Sequence, residues 1–315
     1  MPKSSLTVII MTYNEKLHIE RSIKSAQRVA CEVVVIDSFS TDGTEEMARS
    51  LGAVIVQNPW TNHATQLNWA LKHVLIRTDW VMRLDADEYL DDELVLTLSQ
   101  ALKAAATDLS GLEISRPTTF LGRRILHGGM MPMWLLRVWR KDVASCEQRW
   151  MDEHMVVPNG RIQRIAGNIV DDNLNHRSWW VDKHNRYASR EAVELLLMRH
   201  QGNSTVHSSQ GLKGQASRKR WLKERVYARL PLGLRPWLYF FYRIVIRAGF
   251  LDGYRGLMFH TMQGLWYRLL VDAKVMEVEH TMQRDGIALH VAVQSVLDIN
   301  LSAMSADHTA EIKVE

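Results

Sequence analysis

At 315 residues and 46% apolar content, the chain is long enough to bury a core of ordinary depth as one large domain or two modest ones. Formal net charge is only +4, but it is segregated: residues 1–110 carry 10 Lys or Arg against 15 Asp or Glu, and residues 213–247 carry 10 against one. The acidic first part argues against nucleic acid wrapping the molecule, the basic later part suits an anionic membrane surface, and two cysteines without a C-x-x-C pair exclude a disulfide framework and a thiolate zinc site and fit a reducing compartment.

Residues 6–13 are apolar and β-branched and predict a strand buried on both faces, after which Leu17, Ile19, Ile23 and Ala26 have helical spacing. The unit repeats with a strand over 32–37, a short helix over 44–51, a strand over 53–57, a helix over 64–75 and a fourth strand over 80–84. Strands alternating with helices at this spacing predict an α/β fold with a parallel sheet. Residues 111–180 read as a looser, mixed continuation, and 181–200 regain helical spacing. The Gly-, Ser- and Gln-rich stretch 201–215 reads as a loop, 218–281 as helical with Arg and aromatic residues intermixed, and the residues after 282 show no strong pattern. The expected organisation is an α/β domain over 1–200, a linker over 201–217, a basic aromatic extension over 218–281 and a tail over 282–315. The apolar run 6–11 is too short for a secretory core, so no export signal is expected. The stretch 236–251 is interrupted by Arg243 and Arg247 and is expected to lie on a membrane rather than cross it, since crossing takes roughly 20 apolar residues.

In parallel sheets, ligands bind beyond the carboxyl ends of the strands. Those ends read TYNE from Thr12, DSFSTDG from Asp37 and DADE from Asp85, so polar residues collect on one rim. No G-x-G-x-x-G or P-loop sequence occurs there, and a nucleotide would have to be handled by side-chain carboxylates and a metal. Six of the nine residues 85–93 are acids, which repel one another unless something positive sits among them. An Asp-x-Asp at a strand end aims two carboxylates at one point, and hard oxygen ligands favour Mg²⁺ or Mn²⁺. The other reading is that acids open the next helix, and this is the one adopted for Asp91, Asp92 and Glu93. Asp37 could accept hydrogen bonds from a base or ribose, or SFSTDGT could be a strand-to-helix turn capped by Asp42 or Thr44.

Together, TYNE at strand one, D-S-x-S-T-D-G-T at strand two, Gln66, Asn68 and Ala70 on a helix, and D-A-D at strand four form an ordered set. This set closely resembles family 2 glycosyltransferases, inverting enzymes of the GT-A fold, and especially bacterial members that build lipopolysaccharide core, O-antigen or capsular chains. The resemblance implies that Thr12, Glu15 and Asp37 line the nucleotide pocket, with Asn68 a further member. It implies that Asp85 lies near ribose and metal, and that Asp87 binds the metal bridging the donor diphosphate.

Such a reaction needs a base for the acceptor hydroxyl. The stretch RWMDEH offers Asp152, Glu153 and His154; family members carry an acidic pair or His-Glu here, and Glu153 is favoured over Asp152 although the order Asp-Glu reverses the common one. Trp134 and Arg137 resemble family positions near the acceptor, but a packed Trp and a partly exposed Arg would explain them as well. His176 is the better histidine candidate as a metal ligand; beside Trp179 and Trp180, His176 and His184 look more like packing. The stretch 229–253 reads as a membrane-interface helix with arginine stems snorkelling toward phosphate, or as an ordinary amphipathic helix.

The expectation is a GT-A domain with a helical C-terminal extension. The expected reaction is metal-assisted transfer, with inversion, of a hexose from a nucleotide diphosphate sugar, UDP-linked in this reading, to a lipid-linked or lipopolysaccharide acceptor. The expected place is the cytoplasmic face of the inner membrane, peripherally, with no nucleic acid partner and the oligomeric state left open. The alternatives are a nucleotidyltransferase on a related sheet and a non-catalytic, membrane-peripheral nucleotide-sugar-binding protein.

Overall fold

The structure, a computed structural model, describes residues 4–147, 154–201, 227 and 230–301. The expected linker beyond residue 201 and the tail from 302 lie outside the described residues.

The first half follows the predicted alternation: β1 (Ser4–Thr12), α1 (Lys16–Ala26), β2 (Ala30–Asp37), α2 (Thr44–Ser50), β3 (Val54–Gln57), α3 (His63–His73) and β4 (Trp80–Asp85). A short β5 (Glu88–Leu90) and α4 (Asp92–Lys103) follow. Asp91 is the N-cap of α4, accepting the Leu94 N–H at 3.0 Å, and Asp92 and Glu93 sit in its first turn as expected for acids near a helix N-terminus. The looser stretch supplies β6 (Leu109–Ser115), β7 (Thr118–Phe120), β8 (Arg123–Ile125), β9 (Trp134–Arg140), β10 (Ser145–Cys146), β11 (Met155–Val156) and β12 (Arg161–Asp171).

The main sheet runs β3-β2-β1-β4-β9-β6-β12-β7-β8, with β5 paired to β12. Pairing is parallel among β3, β2, β1 and β4 and again from β6 through β12 to β7, while β9 runs antiparallel between β4 and β6. Alternation along β1 explains why both sheet faces are covered. Leu6, Val8 and Ile10 join a core with Ile19 and Ile23 of α1 and Leu94 and Leu98 of α4; Ile9 and Met11 join a second core with Leu67 and Ala70 of α3.

The chain moves outward from β1 through β2 to β3 and then returns to place β4 on the other side of β1. This reversal creates a crevice at the carboxyl ends of β1 and β4, the position where open α/β sheets bind ligands. Register brings those ends level: Met11 pairs with Asp85, Thr12 with Asp37, and Asp37 with Gln57.

Residues 4–175 with 247–257 form one compact unit, and 176–201 with 230–246 and 258–301 form a second. In the second unit, α5 (Arg177–Gln201) and the helix Tyr267–Asp285 pack through Ala188, Ala192, Leu196, Val271, Val275 and Val278. A helix over Leu289–Leu297 joins them through Ala292 and Val293, so the stretch after 282 does carry regular structure. No helix among the described residues is long and apolar enough to cross a membrane.

Candidate active site

The rim at the end of β4 resolves the question of how its acids are tolerated: arginines answer it from within the fold. Asp85 accepts Arg83 Nε at 3.1 Å on one oxygen and Arg137 Nη2 at 3.3 Å on the other. Burial works against the Asp85 charge, but Arg83 and Arg137, with His63 and Arg116 further off, overcome it and hold its carboxyl well below the usual range. Glu88, wholly buried, accepts from Arg137 at 2.7 Å and from Arg116 on Oε1, and its Oε2 takes the Asp85 backbone N–H at 3.0 Å. Charge balance at this rim therefore does not itself require a metal, contrary to the inference from acid density alone. Arg137 is 5% exposed rather than partly exposed, and its side chain is committed to the acids, with Nη1 buried and without a partner among the described residues.

Arg116 also pairs with Asp171 at 2.9 Å, to which Thr118 donates at 3.2 Å. Burial pushes Asp171 up to about 6 despite Arg116, and the neighbouring charges of Asp87 and Glu88 add to the rise. The chain leaving β12 then folds over the rim. Arg21 of α1 donates to Asp172 at 2.7 Å and to the Asp87 carbonyl at 3.3 Å, and the Asp172 N–H reaches that carbonyl at 3.2 Å. Asn173 Nδ2 donates to Asp87 Oδ2 at 3.0 Å. Among the described residues no cation pairs with the Asp87 carboxylate, so it is the one rim acid here met only by a neutral amide. An oxygen donor of this kind, half-buried and two residues from Asp85, fits a hard divalent cation.

The other expected residues divide by what already holds them. Thr12 donates to Asp37 Oδ1 at 3.0 Å, while Ser40 donates to the same carboxylate through its N–H at 2.8 Å and its hydroxyl at 2.5 Å. Asp37 is thus fully buried inside its own strand-to-helix turn. Burial opposes the Asp42 charge, but the Thr44 hydroxyl, the Lys16 N–H at 3.1 Å and the Thr44 N–H at 3.0 Å all donate to its carboxylate and hold it below its ordinary value. Glu15 Oε2 bonds His18 Nδ1 at 2.6 Å, and His18 Nε2 accepts the Leu174 N–H at 2.9 Å, which places the imidazole proton on Nδ1. Asn68 clasps the Cys146 backbone in both directions at 2.9 Å, tying α3 to β10. Trp134, opening β9, is half-buried with the Arg164 guanidinium 5.1 Å above its ring. Asp152 and Glu153 lie outside the described residues. His184 stacks on Trp180 at 3.5 Å, the packing role expected for it, while His176 is exposed.

Residues 7–149 match the sequence model of the family described as Glycosyl transferase family 2. A Rickettsia bellii protein described as an uncharacterized glycosyltransferase is 43% identical over 89 residues, which is 28% of this chain and 30% of that protein. The chain thus spans under a third of that relative's length. The Rhizobium meliloti lipopolysaccharide core biosynthesis glycosyltransferase LpsC is 29% identical over 206 residues, covering 62% of this chain and 73% of LpsC. Among solved structures, a mannosyltransferase from Pyrobaculum calidifontis in complex with GDP-Man and Mn²⁺ superposes with a TM-score of 0.50 at 15% identity over 87% of each chain, which shows a shared fold. With its mostly parallel sheet flanked by helices, the chain has the GT-A fold, and the motif-bearing rim lies within the residues that resemble glycosyl transferase family 2.

Proposed function

We propose that this protein transfers a hexosyl group, with inversion, from a nucleotide diphosphate sugar, UDP-linked in our reading, to a hydroxyl of a lipid-linked or lipopolysaccharide acceptor. The observation that carries the reading is the rim at the β1/β4 crevice, where among the described residues Asp87 keeps a carboxylate without a cationic partner while Asp85 and Glu88 are held by arginines. We assign Mg²⁺ or Mn²⁺ to Asp87 and Asp85; when bound, the ion neutralises charge developing on the leaving diphosphate. The Pyrobaculum protein, crystallised with GDP-Man and Mn²⁺, supports a nucleotide sugar and metal, and LpsC supports a lipopolysaccharide acceptor.

The chain's own residues have separable tasks in this reading. Arg83 and Arg137 keep Asp85 ionised, and Asn173 orients Asp87. His18 orients Glu15 toward the nucleotide side of β1, with Thr12 and Asp37 shaping the turn behind it. Glu153, or Asp152 beside it, takes the proton from the acceptor hydroxyl as that oxygen attacks the anomeric carbon. One displacement with one base inverts configuration.

The membrane reading has its own support in the second unit. Leu234, Trp237, Leu238, Phe241, Tyr242 and Val245 are all exposed, at spacings of three and four that put them on one helical face. The arginines of this helix point the other way, correcting the expectation that they snorkel. Arg235 is buried on Asp272 at 2.5 Å, and Arg243 is buried between Gln263 and His260. Such an inside-out helix suits peripheral attachment to the cytoplasmic face of the inner membrane.

Calorimetry with UDP and Mn²⁺ tests the core of the proposal. Asp87→Ala is expected to lose metal-dependent binding by at least about tenfold, while Glu153→Gln binds donor normally and loses transfer. Unchanged Mn²⁺-dependent affinity in Asp87→Ala would refute the ligand assignment. Release of pyrophosphate instead of nucleoside diphosphate would select a nucleotidyltransferase.

A further inference from the structure

A second exposed apolar surface, in the first unit, has no part in the sheet's chemistry. The β7–β8 hairpin turns through Leu121 and Gly122, both with positive φ (50° and 73°), and Leu121 is 52% exposed at its tip. A leucine in the left-handed region is unfavourable by roughly 1–2 kcal/mol compared with glycine or asparagine, so the turn itself gives no reason for an apolar side chain there. Residues 247–255 lie against this hairpin. Arg255 Nη1 donates to the Leu121 carbonyl at 2.9 Å, and the Gly128 N–H reaches the Arg247 carbonyl at 2.9 Å. Asp252, 2% exposed, takes the N–H groups of Leu126 and His127 at 3.1 and 3.0 Å and the His127 ring at 2.7 Å.

This clamp presents Phe250, Leu251 and Tyr254 beside Leu121 and Leu126, all about half exposed or more. Arg123, Arg247 and Arg255 are exposed among them. Over 121–127 and 247–255 the sole acid is Asp252, consumed in the clamp, so every exposed charge on these segments is positive. Apolar tips interspersed with arginines and free of exposed carboxylate complement an anionic bilayer, with side chains entering at headgroup depth and guanidinium groups on phosphates.

We propose that the surface formed by residues 121–127 and 247–255 is a docking site for anionic phospholipid headgroups, which fixes the sheet domain itself against the bilayer. This rests on the membrane-peripheral reading above and adds a contact within the sheet domain. Leu121→Asn keeps the turn, because asparagine tolerates positive φ, and Tyr254→Ser removes a side chain that is 77% exposed, so neither disturbs the core.

The test is co-sedimentation of the full chain with vesicles of phosphatidylglycerol and phosphatidylethanolamine, in parallel with light scattering and thermal unfolding. Leu121→Asn/Tyr254→Ser is expected to lower vesicle affinity about tenfold at unchanged unfolding midpoint. Arg123→Gln is expected to lower it about fivefold and to flatten its salt dependence. If wild type sediments and the double variant does so within twofold, this surface is overturned while the membrane reading stands. No sedimentation of wild type with any vesicle overturns both. A variant that changes the oligomeric mass rather than vesicle binding overturns the proposal in favour of a second copy as the occupant.

Discussion

In the second unit, Arg235 and Arg268 are each met by a single acid. Arg235 gives Nε and Nη2 to Asp272, whose other oxygen takes the Gly233 N–H, and Arg268 closes on Glu191, which also accepts the Tyr267 hydroxyl. At the rim, the acids Asp85, Asp87, Glu88, Asp171 and Asp172 share Arg21, Arg83, Arg116 and Arg137, and the sharing is incomplete. Among the described residues, one carboxylate lacks a cation, two arginine nitrogens, Arg21 Nε and Arg137 Nη1, lack an acceptor, and one acid is pushed up to about 6. Closed pairs of the first kind hold helices together. An open network of the second kind keeps charge available, as sites that bind charged ligands require.

The largest expected effects come from removing one buried partner in each region. Arg235→Met leaves Asp272 without a cation among the described residues and is expected to lose about 3–5 kcal/mol in urea unfolding, whereas Arg137→Met takes one of two arginines from Glu88 and is expected to lose less. The repairs should differ. Adding Asp272→Leu to Arg235→Met recovers much of the loss. Adding Glu88→Leu to Arg137→Met does not, because Arg116 and the Asp85 N–H then lose their acceptor. Equal recovery in both pairs would break the distinction between closed and shared charge.

A smaller effect is expected from pH within the second unit. Burial lowers His184 to about 4 in spite of its bond to the Trp180 carbonyl, with Lys183 adding to the fall. Its folded form resists the proton that the unfolded chain accepts near 6.5, so stability is lost as pH falls from about 6.5 to about 4. His184→Phe keeps a ring on Trp180 and should flatten that decline, measured as the difference in unfolding midpoint between pH 7.5 and pH 4.5 buffers. The smallest effect sets the baseline: Lys24→Ala, which removes the exposed pair with Glu20 at 2.5 Å on α1, should change stability by less than about 0.5 kcal/mol.

The alternation of strand and helix through residue 85 was legible because each buried strand is a continuous apolar run and each strand end is polar. Asp85 and Asp87 were legible as a pair, but their electrostatics were not, since Arg116, Arg137 and Asp171 arrive from strands far along the chain. Arg83 was the one local signal, a cation inside an apolar strand two residues before Asp85. Asn173 and Leu174 gave no pattern, because their role depends on where β12 ends. The helix Leu289–Leu297 has Leu289, Ala292, Val293, Val296 and Leu297 at helical spacing, but so short a run is a weak periodic signal. The inward turn of Arg235 and Arg243 could not be seen without Asp272 and His260.

The bond from the Leu174 N–H to His18 joins the exit of β12 to the first turn of α1 across 156 residues of sequence. Because an amide N–H can only be accepted by an unprotonated ring nitrogen, it selects one imidazole tautomer. Nitrogen-15 resonances of this buried ring therefore offer a spectroscopic gauge of whether that exit strand is seated, readable without substrate, ion or turnover.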